Sequence, residues 1–188
     1  VEIYTDVDGI MTADPRIVSN ASVIKHITYS EIFQIADQGA KVIHPRAVEI
    51  AARAGVPVVI KNSMNNSPGT VISSGASMPQ PLLKQTGQLI TSIAHITGRT
   101  QITIDTRSAE EQNDILVDLA DNGISIDIIN IFPERMVFTI DGHTTKKALD
   151  ILNKRGCTYR LIENCSKISA VGDRMRGVPG VMSRIISA

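Results

Sequence analysis

The feature that most constrains this chain is the order in which apolar periodicities succeed one another between Leu89 and Ile162. Leu89 to Ile96 and Gln101 to Asp105 read as strands, and Thr97-Gly98-Arg99-Thr100 between them carries a hairpin signal. Ser108 with Glu111 has the spacing of a capping box. It opens a helix whose apolar residues are Ile115, Leu116, Leu119 and Ala120, and Gly123 closes it. Ile124 to Ile131 is then a strand with Met136 to Ile140 as its hairpin partner. A helix from Thr145 to Lys154 buries Ala148, Leu149, Ile151 and Leu152, and Tyr159 to Ile162 returns as a strand. Strand, helix, strand, strand, helix, strand is the ferredoxin-like α+β order.

The stretch before it follows α/β grammar. Val1, Ile3 and Val7 predict a buried strand whose C-terminal end carries Thr5 and Asp6, the place where open α/β sheets bind ligands. Asp8-Gly9 is a turn signal. In Ala13-Asp14-Pro15-Arg16 the proline favours an extended or turn conformation at Asp14 and leaves Arg16 at the loop's exit, where a guanidinium suits a phosphate oxygen. Asp-Gly and Asp-Pro are equally ordinary turn pairs. Thr28 and Glu31 form a second capping box, opening a helix with Ile32, Phe33, Ile35 and Ala36 on its apolar face and Gly39 as its stop. Lys41 follows, where a cation also answers the negative end of the helix dipole. Pro45 starts another helix, packed through Val48, Ile50, Ala51 and Ala54 and ended by Gly55; Val56 to Ile60 is a strand with Pro57 near its start. His44, with no carboxylate or nucleophile in its local pattern, reads as structural. Asn62 to Gly69 is a polar loop, Thr70 to Ile72 a short strand, and Ser73 to Pro81 a connector that marks a domain boundary.

Bulk properties exclude several functions. With 19 basic and 19 acidic residues the chain lacks the cationic surface that displaces phosphate counterions, and three phenylalanines and three tyrosines make no stacking platform, so no nucleic-acid partner is expected. Cys157 and Cys165 are two thiols without a metal-ligand pattern, read as buried or idle, and no metal site is expected. No run of about 18 apolar residues and no signal peptide are present, which predicts a cytoplasmic chain with no membrane partner.

TDVDGIMTADPR and GAKVIHPRAVEIA together resemble, in order, the C-terminal part of the catalytic domain of aspartate kinases, in the amino-acid kinase family. SPGTVIS resembles the end of that domain. The strand and helix order that follows resembles an ACT domain, a small amino-acid-binding module, and VGDRMRGVPGVMSRI is similar to the opening of a second one. The resemblance implies a catalytic-domain part at residues 1–75 with an α/β sandwich fold, a linker at 76–88, a first ACT domain at 89–163 and the start of a second at 164–188. Opening without Met and stopping after one helix of that second copy, the chain is expected to be a piece of a longer protein and inactive by itself.

What the family does is implied with it: transfer of the γ-phosphoryl group of ATP, with Mg2+ as part of that co-substrate, to the β-carboxylate of L-aspartate, under feedback by an amino-acid effector such as lysine or threonine. By motif, Thr5, Asp6, Met11, Thr12, Ala13, Asp14, Pro15, Arg16 and Lys41 fall on the nucleotide site. Met11 stands where many relatives carry tyrosine, and methionine packs against an adenine face in its place. Ser125, Ile126 and Asp127 fall on the effector-contacting strand, although Asp127 reads equally well as an ordinary strand-end carboxylate. Catalytic residues proper are not in view. The family also implies a homo-oligomer formed through ACT domains, with a second subunit in some members. The competing class is a noncatalytic ACT-bearing regulatory subunit.

Overall fold

A computed structural model describes residues 1–38, 42–74, 89–173, 175 and 177–187. The chain forms two compact units, residues 1–95 with 168–188, and residues 96–167.

The first unit is built on a four-stranded sheet of β1 (Glu2–Thr5), β2 (His26–Thr28), β3 (Val58–Asn62) and β4 (Thr70–Ser73), in the order β1-β3-β4-β2. β1 runs parallel to β3 and β2 parallel to β4, whereas β3 and β4 are antiparallel. The expected buried strand at the opening is therefore shorter and more exposed than its apolar residues imply. β1 pairs on one side only among the described residues, and Val1 and Tyr4 are exposed.

Helix α1 (Tyr29–Asp37) begins with a complete capping box. Thr28 Oγ1 accepts the Glu31 N–H at 3.1 Å, and Glu31 Oε2 accepts the Thr28 N–H at 3.2 Å. The expected stop, Gly39, lies outside the described residues. Helix α2 (Pro45–Ala54) has Pro45 in its first turn, Gly55 as a left-handed cap and His44 as its N-cap, its Nδ1 accepting the Arg46 N–H at 3.1 Å. Val48 and Ala51, three apart, face the core. Ile50, expected to pack with them, is 60% exposed because two residues of helix carry a side chain to the far face. Ile10, Ile24, Ile27, Ile32, Ile35, Ile60 and Ile72 complete this core together with Val171 from the end of the chain.

The second unit has a sheet of β5 (Ser92–Asp105), β6 (Ile126–Phe132), β7 (Arg135–Asp141) and β8 (Tyr159–Val171), ordered β6-β7-β5-β8, with helices α3 (Ala109–Asp121) and α4 (Thr145–Lys154) between strands. That is the ferredoxin-like arrangement anticipated from the sequence. Its core joins Ile102, Ile104, Met136, Phe138 and Ile140 from the sheet to Ile115, Leu119, Ala148 and Leu152 from the helices.

Four local expectations change here. Residues 97–100 make no hairpin: β5 runs unbroken for 14 residues, with Gly98 at φ 69° inside it. The Ser108 capping box is half formed. Ser108 Oγ accepts the Glu111 N–H, but the Glu111 carboxylate accepts from Arg107 instead of Ser108. Ala120 is exposed, off the face that Ile115 and Leu119 bury. The strand expected to open a second module is the continuation of β8, and helix α5 (Val181–Ile186) follows Gly180. Cys157 and Cys165 are free thiols, and burial raises the Cys157 pKa.

Candidate functional site

Parallel strands β1 and β3 end side by side, with Thr5 opposite Asn62, and the loops that follow them interlock. The Ser63 N–H donates to the Thr5 carbonyl at 2.8 Å. Asp8 accepts from Asn62 Nδ2 at 2.7 Å and from Asn65 Nδ2 at 2.8 Å, and these two amides lower its pKa, that from Asn65 most. Asp6 accepts from Thr5 Oγ1 at 3.1 Å. Gly9 closes the crossing. At φ 145° it is in a conformation that side chains rarely adopt, and a Cβ there would lie 2.6 Å from Thr70 Oγ1. That hydroxyl accepts the Ile10 N–H at 2.8 Å, in a buried hydrogen bond that fixes where the loop leaves the sheet.

Beyond Ile10 the chain is extended. Met11 bridges Val23, the Thr12 N–H donates to the Ser22 carbonyl at 2.9 Å, and the Ser22 N–H returns to Thr12 Oγ1 at 3.0 Å. Ala13 and Pro15 then form the turn in which Asp14 grips Arg16. The guanidinium Nε and NH2 donate to the two carboxylate oxygens at 3.0 and 2.7 Å, and the Arg16 backbone N–H adds a third bond at 2.9 Å. Arg16 holds the Asp14 carboxyl down at about pKa 2, and the carboxylate raises that of Arg16 in turn. The Arg16 side chain is 87% exposed, so its remaining N–H groups point to solvent from a fork whose orientation is fixed.

Eight of the nine residues carried onto the nucleotide site thus lie on one continuous segment beside the strand ends. The ninth, Lys41, lies outside the described residues. Asp8, Asn62, Asn65 and Thr70, which shape the segment, were not singled out from sequence. Asn62 to Gly69 has the composition of any polar loop, and only pairing across 50 or more positions reveals its role.

In the second unit Ser125 precedes β6, Ile126 opens it, and Asp127 sits at the register shift between Ile126 and Ile128. A bulge re-aims a side chain. Asp127 Oδ2 lies 3.0 Å from Arg99 Nε, but off the N–H axis, so the contact is one of charge more than a hydrogen bond. Arg99 NH1 donates to Asp141 Oδ2 at 3.0 Å. Among the described residues no three His, Cys, Asp or Glu side chains are grouped to hold a metal ion, and no helix is long and apolar enough to cross a membrane.

Residues 1–62 match the amino acid kinase family. Over its whole length the chain is 42% identical to aspartokinase 1 of Bacillus subtilis, of which it covers 47%. It is 34% identical to the aspartokinase of Geobacillus stearothermophilus, with 98% of this chain and 46% of that protein aligned. The chain therefore spans about half the length of these relatives. Among solved structures it resembles the aspartate kinase of Clostridium acetobutylicum, with a TM-score of 0.85 at 27% identity over 99% of this chain and 44% of that one. It also resembles E. coli aspartokinase III in complex with aspartate and ADP, with a TM-score of 0.79 at 26% identity over 100% of this chain and 43% of that one.

Proposed function

We propose that this chain, which aligns over its whole length with about half the length of the aspartokinases and matches the amino acid kinase family over its first 62 residues, supplies the nucleotide side of an aspartate kinase together with amino-acid-sensing ACT structure. The full-length kinase transfers the γ-phosphoryl group of MgATP to the β-carboxylate of L-aspartate, releasing ADP and an acyl phosphate on the route to lysine, threonine and methionine. It works in the cytoplasm, where those substrates are. The observation that carries this reading is the single segment from Thr5 to Arg16 laid along the ends of parallel strands in a chain matched throughout by aspartokinases. The ADP and aspartate bound by E. coli aspartokinase III support the choice of substrates.

Phosphoryl transfer asks for positioning and charge stabilisation more than for an acid–base pair. Thr5, Asp6 and the run from Met11 to Pro15 border the nucleotide, Met11 packing against the base. Arg16, oriented by Asp14, and Lys41 bring positive charge to the phosphates, and magnesium enters with the nucleotide as part of the substrate. Replacing Lys41 by Met in the full-length kinase is expected to lower kcat/KM for ATP by about 2–3 kcal/mol of transition-state stabilisation. An unchanged value in a folded variant overturns the assignment.

The unit at 96–167 is the core of the sensing part, taken from the sequence as residues 89–163, with 164–188 beginning a second module and 76–88 linking to the kinase part at 1–75. Ser125, Ile126 and Asp127 border its effector, an amino acid such as the lysine bound by E. coli aspartokinase III. A second copy of the chain pairs here. β6 is at the end of its sheet, with Ile131 and Phe132 exposed, and such an edge is a template for another strand. Sedimentation of the full-length kinase should give a dimer or larger species; a strict monomer refutes the pairing.

A further inference from the structure

The segment from Met11 to Thr12 is flanked on both sides. One flank is its own return strand at residues 22–24. The other is the beginning of β5, eighty residues further on: Ser92 Oγ donates to the Met11 carbonyl at 3.1 Å, and the Ile93 N–H donates to the Thr12 carbonyl at 2.8 Å. Ser92 is 3% exposed. A buried strand position favours Val or Ile over Ser, and a buried hydroxyl is retained at low cost only where it is hydrogen-bonded. The same stretch is anchored a residue earlier, where Thr91 Oγ1 donates to the buried Glu31 carboxylate in the first turn of α1 and the Thr91 N–H donates to the Val171 carbonyl. The start of β5 is thereby fixed to the end of β8 and to α1 independently of the loop it touches.

We propose that Ser92, with the adjacent Ile93 N–H, is a positioning residue for the nucleotide. By holding the Met11 and Thr12 carbonyls it sets where the Met11 side chain meets the base and where the Asp14–Arg16 fork begins. This rests on the reading of residues 5–16 as the nucleotide segment. Both bonds act on ground-state placement of one substrate, so their loss shows in KM for MgATP and spares the other substrate.

The test is steady-state kinetics of the full-length kinase with ATP and aspartate varied separately. Ser92→Ala should raise KM for MgATP roughly three- to tenfold, the fold-change of one lost hydrogen bond, with kcat and KM for aspartate within about twofold. Ser92→Thr, which restores the hydroxyl, should return KM for MgATP to within about twofold of the parent. An unchanged KM for MgATP, an equal rise for aspartate, or no rescue by Thr overturns the proposal. Should Ser92→Ala fail to fold, Ile93→Pro removes the N–H aimed at Thr12 from a position whose side chain is exposed, and must give the same selective rise. Arg16→Ala, measured alongside, separates the two claims. If it costs nothing in ATP use, the nucleotide reading of the segment falls; if it costs and Ser92→Ala does not, only the positioning role falls.

Discussion

Asp14 and Arg16 sit two positions apart, and the bidentate contact between them governs how the loop responds to pH. The folded carboxyl titrates at about 2, below its ordinary 3.8, so the contact contributes fully above the ordinary value and is lost as pH falls through about 2. A carboxyl-carbon NMR titration should show Asp14 still ionised at pH 3, where unpaired aspartates are mostly protonated; a midpoint near 4 would refute the pairing. Gly9 is the other residue on which the loop turns. Gly9→Ala combines an unfavourable φ with a contact inside van der Waals distance of Thr70, and should cost on the order of 2–3 kcal/mol in urea denaturation. The Asp14-Pro15-Arg16 turn was legible from the sequence because it is local. Asp8 and Gly9 read only as a turn, since what makes them specific, the amides of Asn62 and Asn65 and the hydroxyl of Thr70, arrives from the far end of a sheet pairing.

Elements were most readable where a cap and an apolar face agreed. Thr28 with Glu31, and the spacing of Ile32 and Ile35, fix α1; Thr28→Ala removes the cap acceptor of the Glu31 N–H and should destabilise the fold by about 1–2 kcal/mol in denaturant melts. Reading failed in β5 for an instructive reason. Gly98 does adopt the left-handed conformation that its Thr-Gly-Arg-Thr context signals, but the strand runs on through it and does not reverse. Its carbonyl faces Gly142, where an added Cβ would stand 2.7 Å away, so the apparent turn is a close approach of two backbones next to the Arg99–Asp141 pairing. Gly98→Asn should be tolerated better than Gly98→Val by about 1 kcal/mol, because asparagine enters the left-handed region and a β-branched residue resists it. Equal melting temperatures for the two variants contradict this account.

At the scale of the whole molecule, periodicity marked the change from helix–strand alternation to the ferredoxin-like order, but it could not show that β5 and β8 each serve both compact units. A strand's apolar pattern carries no sign of where its partner changes. The consequence is topological: residues 96–167 are an insertion within a host that resumes at Ile168. In the full-length kinase, replacing 96–167 by a short glycine-rich turn between His95 and Ile168 should leave MgATP binding measurable by calorimetry while removing the effector response that depends on Ser125, Ile126 and Asp127. Loss of MgATP binding in a folded variant contradicts the independence of the host.

The hydrogen bond from the Thr91 N–H to the Val171 carbonyl places the outgoing and returning chains side by side just before and after that insertion. Closing the gap between neighbouring strands requires only a tight turn, with little loop entropy to overcome. A module joined in this way can be acquired, lost or exchanged in one genetic event without changing the strand order of its host.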